Sequence, residues 1–244
     1  MTAPFPYECL ETIDSTNNFL KRRPDIWSKN FYTVRALEQT QGRGRYGRNW
    51  HSGKNNLTFS FIYNFNIPSD ISAITICAGL ALRKALSIIT GNQILLKWPN
   101  DVTFRGKKLG GILSEMIKGS DSRVLIFGIG VNLNLENMPV EITEKSISLQ
   151  DITNLDLQPE LILNTILQEM EKYLAIYTSP LPKTILTEFK ENCDYNANQV
   201  SLHNDGKVEK KKVNIKGINE NGLLVILSPD GTPEFVNAYE LEFN

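Results

Sequence analysis

Between positions 42 and 50 the chain reads Gly-Arg-Gly-Arg-Tyr-Gly-Arg-Asn-Trp, with Arg43, Arg45 and Arg48 alternating with Gly42, Gly44 and Gly47. A guanidinium is a planar fork of donors that matches phosphate and carboxylate oxygens. Glycine lets the backbone take positive φ and approach a ligand closely. The segment has few apolar groups to offset the entropy of ordering it, so it is expected to be mobile until an anion arrives. It is not a phosphate-cradling P-loop, since no Gly-Lys-Ser/Thr follows. Taken alone, the loop fits an anion-binding enzyme, a nucleic-acid contact and a solvated turn equally well.

Further segments narrow the choice: Asp14-Ser15-Thr16-Asn17 with Gln39, Lys97-Trp98-Pro99-Asn100-Asp101, Lys108-Leu109-Gly110-Gly111-Ile112-Leu113, and Gly128-Ile129-Gly130-Val131-Asn132. In this order, with Lys108 seven positions after Asp101, they resemble the biotin–protein ligase family (biotin–acetyl-CoA-carboxylase ligases) from about Ile13 to Asn134. The resemblance implies an α/β (α+β) fold. A mixed sheet with helices, similar to class II aminoacyl-tRNA synthetases and lipoate ligases, would occupy residues 1–195, and a small SH3-like β-barrel residues 196–244. It also implies a two-step reaction. Biotin attacks the α-phosphate of ATP to give biotinyl-5′-adenylate and pyrophosphate, and a lysine of a biotin carboxyl carrier domain then takes the acyl group.

The residue types suit that chemistry. Joining a carboxylate to a triphosphate brings negative charges together, so cationic donors must neutralise both. The resemblance places Lys108, Asp101, Arg43 and Arg45 at the reacting groups. Asp101 would be a base, an electrostatic anchor or a ligand of Mg2+ carried by the phosphates. Ser15, Thr16, Asn17 and Gln39 would hold the ureido head of biotin, although the first three could equally serve the start of a helix. Gly42 and Gly44 would offer backbone N–H groups beside Arg43 and Arg45, and Gly111 would keep a slot open. Arg48, Trp50, Asn100, Gly130 and Asn132 would join Arg43, Arg45, Asp101 and Lys108 on the ATP side, with Trp50 a cover for the ligand or an anchor at the loop base. Lys97 is a phosphate contact on this reading and Trp98 a packing residue. Tyr46 departs from a position often basic or polar in the family, and Gly110-Gly111 stands where Ala-Gly is common.

Composition sets limits. With 244 residues, 41% hydrophobic content and a formal charge of −1, the chain reads as an ordinary globular protein. The near-neutral charge argues against DNA as a partner. A lysine cluster at Lys207, Lys210, Lys211, Lys212 and Lys216 reads as the solvated face of a hairpin. No apolar run approaches the roughly 20 residues of a membrane span. No secretory signal opens the chain, and its three cysteines, Cys9, Cys77 and Cys193, form no CxxC pair, so a cytoplasmic setting with reduced thiols is expected. Two histidines, His51 and His203, leave little for zinc or triad chemistry. The motifs begin at Asp14, which leaves no room ahead of them for a winged helix and suggests the monofunctional form. A homodimer is left open.

The elements that must carry these residues follow from periodicity. Residues 7–13 read as a strand, and Asp14 or Ser15 as the cap of a helix reaching about Arg22. Phe31–Glu38 and Leu57–Phe65 read as strands, the second with one covered face. Ser69 or Asp70 would cap a buried helix from Ile71 to Ile89. Gln93–Lys97 is a strand. Lys108–Ile117 and Arg123–Leu133 form a hairpin through Lys118-Gly-Ser-Asp-Ser. Its interior glycines suggest close approach by a ligand or another backbone. Helices at Pro159–Tyr177 and Lys183–Asn192 precede short strands with turns at Asn204-Asp-Gly206, Asn219-Glu-Asn-Gly222 and Pro229-Asp-Gly231.

Overall fold

A computed structural model describes residues 5–53, 56–64, 71–118, 123–136, 138–153, 158–194, 200–204, 207–227, 231–236 and 240–243. Strand β1 (Tyr7–Ile13) leads through helix α1 (Thr16–Lys21) to β2 (Thr33–Gln39) and, past the Gly/Arg loop, to β3 (Asn56–Tyr63). Helix α2 (Ser72–Thr90) precedes β4 (Leu95–Lys97), β5 (Asp101–Phe104), β6 (Lys107–Lys118) and β7 (Arg123–Asn132). These strands form one seven-stranded sheet in the order β1-β2-β3-β7-β6-β5-β4. Only the β1–β2 pair is parallel, so the sheet is mixed.

Strand β3 shows how the sheet is held. Leu57, Phe59, Phe61 and Tyr63 point into the main core beneath α2, where Phe61 stacks between Phe31 and Phe127 with centroids 5.1 and 5.2 Å away. Each such ring contributes roughly 1.5–3 kcal/mol by leaving water. The alternate residues do not face solvent as the alternation suggested, because all eight residues of β3 are buried. Ile62 packs with Leu20 of α1 in a second cluster, and Thr58 and Ser60 are covered beside it.

Helix α2 corrects another expectation. It is 19 residues long and, by length and composition alone, apolar enough to cross a membrane, yet 72% of its most apolar 18-residue stretch is buried inside the fold. Short helices α3 (Val140–Thr143) and α4 (Leu149–Ile152) follow β7, the second closed by a capping box between Ser148 and Asp151. Helix α5 (Pro159–Ala175) lends Ile162, Ile166 and Met170 to the core that α2 enters, and α6 (Lys183–Asn192) adds Ile185 and Phe189.

Strands β8 (Val200–Asn204), β9 (Lys207–Ile218), β10 (Leu224–Leu227), β11 (Pro233–Val236) and β12 (Glu240–Phe243) make an antiparallel sheet in the order β11-β10-β9-β8-β12. Its Ile215, Leu224, Ile226 and Val236 belong to the same apolar cluster as the large sheet. The Asn219–Gly222 turn sits against the first turn of α2, with the Gly222 carbonyl accepting from the Trp98 indole at 3.2 Å, so Trp98 is a packing residue. The expected boundary at 195–196, the cap at Ser69 or Asp70, most of the loop from Lys118 to Ser122, the centres of the turns at 204–206 and 229–231, and the side chains of Lys207, Lys210, Lys211 and Lys212 lie outside the described residues.

Candidate active site

Register across the large sheet lines up one row of residues. Asp101 of β5 pairs with Gly111 of β6, Gly111 with Gly130 of β7, and Gly130 with Thr58 of β3. Two adjacent glycines leave the middle of that row without side chains, and other groups lie down on it. A Cβ on Gly130 would come within 2.3 Å of the Trp50 ring, and one on Gly111 within 2.7 Å of Asp101 Oδ1 and 3.5 Å of Lys108 Nζ. In the next row Ser60 pairs with Gly128, and Gly128 with Leu113. A Cβ on Gly128 would come within 2.4 Å of Asn17 Oδ1. The strand glycines are thus seats for the protein's own polar and aromatic side chains. Gly110 alone meets another backbone, the Gly130 carbonyl at 2.6 Å from its would-be Cβ.

Above these rows lies a cleft with about 790 Å3 of empty space, part of it open solvent. It gathers Ser15, Thr16, Asn17 and Gln39 at one end, where Arg43 reaches across to Asn18, and Gly44, Arg45, Arg48, Trp50, Asn100, Asp101 and Lys108 toward the other, over Gly111 and Gly130. At the polar end, Ser15 takes the N-cap position of α1 but makes no side-chain capping bond. The Gln39 Oε1 accepts from the Thr16 backbone N–H at 2.8 Å, and its Nε2 donates to Ser52 at 2.8 Å. Asp14 lies behind, in a two-pronged pair with Arg22 at 2.7 Å that holds its carboxyl well below the usual range.

At the cationic end Lys108 Nζ is 2.8 Å from Asp101 Oδ1, touching without the alignment of a hydrogen bond, and 5.5 Å from the Trp50 ring centroid. Arg45 donates to Asn100 at 3.3 Å and to the Tyr46 hydroxyl at 3.0 Å, and Arg43 reaches Asn18. The loop itself is a small hairpin. Arg43 bridges Asn49, the Gly44 N–H donates to the Arg48 carbonyl at 2.7 Å, and the Trp50 N–H donates to Gly42 at 2.9 Å.

Three expectations change. Gly42 does not line the cleft; its side-chain space is filled by the Trp50 carbonyl and Ser52, so it lets the loop ends close. Gly44 lines the cleft, but its N–H is used inside the hairpin. Asn132 lies one pocket away, its amide donating to the carbonyls of Lys108 and Ile147. That adjoining pocket shares Asn49, Trp50 and Lys108 with the main cleft and adds His51, Asn56, Asn132, Leu135 and Met138. Lys97 lines neither. Sequence reasoning missed Thr58 in the main cleft and Asn56 beside it; polar residues on an alternating strand carry no signal that separates a site wall from a wet face.

Among the described residues no group of three or more His, Cys, Asp or Glu side chains could hold a metal ion. Among the described residues Asp101 is the single carboxylate lining the cleft. One carboxylate is enough for an ion such as Mg2+ that arrives bound mainly to substrate phosphates.

A family model described as the biotin/lipoate A/B protein ligase family matches residues 9–132. The chain is 30% identical over 214 residues to the bifunctional ligase/repressor BirA of Bacillus spizizenii, covering 84% of this chain and 64% of that one. It is 35% identical over 134 residues to the biotin–[acetyl-CoA-carboxylase] ligase of Paracoccus denitrificans, covering 53% and 55% of the two. The chain therefore spans less than two thirds of the length of these relatives. A biotin protein ligase from Aquifex aeolicus, solved in complex with biotin and ATP, superposes with a TM-score of 0.85 at 30% identity over 98% of this chain and 99% of that one.

Proposed function

The chain belongs to the biotin/lipoate A/B protein ligase family, and from that premise we propose that it activates biotin with ATP and transfers the biotinyl group to a lysine of a biotin carboxyl carrier domain. The observation that carries the reading is one cleft that joins a polar end, lined by Ser15, Thr16, Asn17 and Gln39, to a cationic end at Lys108 and Arg45 over two facing glycines. A ureido ring is neutral and offers both donors and an acceptor, which suits Ser15, Thr16, Asn17 and Gln39. The valeryl chain crosses Gly111, and the carboxylate arrives beside Lys108, Arg43 and Arg45. These cations offset the charge that accumulates as carboxylate oxygen attacks the α-phosphate.

The adjoining pocket suits the nucleoside. Trp50 and Lys108 belong to both cavities, so a phosphate near Lys108 reaches a base beside Asn132. The Trp50 Nε1 and Asn56 Oδ1 are buried with no hydrogen-bond partner among the described residues, one donor and one acceptor for a ring of matching pattern. Asp101 is positioned to meet the phosphate-bound Mg2+, which would supply further charge neutralisation, or to hold the incoming lysine amine. In the second step the cleft must keep water from a reactive mixed anhydride, and the Gly/Arg hairpin is the element placed to do so.

Transfer of labelled biotin to a carrier domain, dependent on ATP, is the test; no transfer with folded protein and acceptor overturns the reading. The family also contains lipoate ligases, so labelled lipoate and octanoate belong in the same assay. The polar end of the cleft favours biotin, and preference for either fatty acid would reassign the substrate. A companion prediction concerns the hairpin. Its three arginines are tryptic sites with little apolar packing. Cleavage within Arg43–Arg48 should be rapid in free protein, partly slowed by biotin and slowed roughly tenfold or more by biotin with ATP. Equal cleavage rates in all three states would show that ligands do not order the loop.

A further inference from the structure

The cleft has a third branch, which the placement of biotin and nucleotide leaves unassigned. A pocket beside it shares Arg45, Asn100 and Ile112 with the main cleft, and part of its space is open solvent. Ile71, Trp98 and Pro99 give this pocket apolar walls, and the Thr75 and Ser114 hydroxyls, 2.9 Å apart, line it as well. Gly222, whose carbonyl holds the Trp98 indole, brings the C-terminal sheet to its rim.

Asn100 is the wall between the two cavities. Its Nδ2 donates to the Ile112 carbonyl at 2.8 Å, and a carbonyl can only accept, so its Oδ1 must face Arg45, 3.3 Å away. Asp101 follows directly and lines the main cleft in contact with Lys108. A group that passes along the pocket beside Asn100 therefore emerges where the acyl group of the adenylate would lie. Two groups must still reach or leave that point: the departing pyrophosphate and the incoming lysine. Pyrophosphate carries several negative charges, yet among the described residues Arg45 is the one charged side chain lining the pocket. A lysine suits it better, because its four-carbon stem can lie along Ile71, Trp98, Pro99 and Ile112. Its amine must also lose a proton before it attacks. Arg45 and the first turn of α2, which carries partial positive charge, disfavour the ammonium and so favour the free amine.

We propose that this pocket is the entry path of the acceptor lysine, which reaches the adenylate past Asn100 while biotin and AMP fill the other two branches. The proposal rests on the biotin ligase reading and deepens it. As Arg45 turns from Asn100 to the anionic adenylate, Asn100 Oδ1 becomes an acceptor for the arriving amine. The ammonium gives one proton to the Asp101 carboxylate, and the nitrogen lone pair attacks the acyl carbon. The C–N bond forms, the C–O bond to phosphorus breaks with its electron pair on AMP, and the nitrogen's surplus proton leaves with that phosphate.

The test separates the two steps in wild type and in Ser114→Phe, whose ring would fill the pocket from a position outside the reacting groups. Biotin-dependent ATP–pyrophosphate exchange reads the first step. Single-turnover transfer from preformed adenylate to a saturating carrier domain reads the second. Transfer should slow roughly 100-fold, the scale of a misplaced reactant, while exchange stays within about twofold of wild type. Hydroxylamine, small enough to enter by the mouth of the main cleft, should still capture the acyl group in both proteins. Ser114→Cys on a Cys9→Ser background, capped after folding with methyl and then benzyl methanethiosulfonate, repeats the block on protein known to be folded. Transfer should fall with the size of the cap and return with dithiothreitol, and the Cys9→Ser protein alone should not respond. Wild-type transfer with the pocket filled would overturn the proposal. Equal losses of exchange and transfer would assign the pocket to pyrophosphate, and a higher carrier requirement with the saturated rate intact would make it an outer docking contact; either result overturns it too. Wild type that forms no biotinyl adenylate would instead defeat the proposed function, so the two failures are distinct.

Discussion

Replacing Lys108 with alanine should slow biotin-dependent adenylate formation by roughly 100-fold or more, the scale of losing one preorganised donor at developing charge. The ammonium is held before any substrate arrives. Asp101 is 2.8 Å away on one side, the Trp50 ring lies beneath at 5.5 Å, and Gly111 leaves the space through which the lysine stem passes. Loss of the cation has a second cost, because Asp101 would then face the incoming carboxylate and phosphate uncompensated. Arg43 and Arg45 cannot make this good in place, since their guanidinium groups reach Asn18 and Asn100. ATP–pyrophosphate exchange with biotin present isolates the first step. Exchange close to the wild-type rate in folded Lys108→Ala would remove this residue from the chemistry.

The sequence disclosed which segments meet, but not how they meet. Asp14–Asn17, the Gly/Arg loop, Asn100–Lys108 and Gly128–Gly130 carry residue types that are costly to keep in a strand or loop without a use, and they do converge on one cleft. What the strand glycines do was hidden, because the groups that fill Gly128 and Gly130, Asn17 and Trp50, come from more than 75 positions away and are brought there by strand register. Strand β5 was also hidden. Its four residues follow a Trp-Pro-Asn segment that reads as a turn, and their pairing with β6 is what makes a strand of them. Thr58, Ser60 and Glu115 sit in alternating runs whose polar positions normally face water. Here α1 and the cleft cover them, which only the tertiary arrangement of α1 over β3 reveals.

The glycine seats lead to the second large effect. Gly128→Ala should raise KM for biotin by roughly 100-fold, whereas Gly130→Ala should act chiefly on KM for ATP. Strand β7 is hydrogen-bonded on both sides, to β3 and to β6, so it cannot recede to admit a methyl group. At position 128 the new Cβ would lie 2.4 Å from Asn17 Oδ1 and 3.0 Å from its Cγ. Asn17 is the group that must move, and it would lose its bonds to Ser60 and to the Glu115 carboxylate. Those bonds are worth roughly 0.5–1.5 and 1.5–3 kcal/mol, and at about 1.4 kcal/mol per tenfold their loss reaches the expected factor. At position 130 the methyl would instead strike the Trp50 ring, 2.3 Å away, and lift it from the wall between the cleft and the adjoining pocket. Separate titrations of biotin and ATP for each folded variant provide the measurement. If both variants weakened both ligands alike, the glycines would matter only for the integrity of β7. A crossed pattern, with biotin lost at 128 and ATP at 130, would assign the two seats to the two substrates.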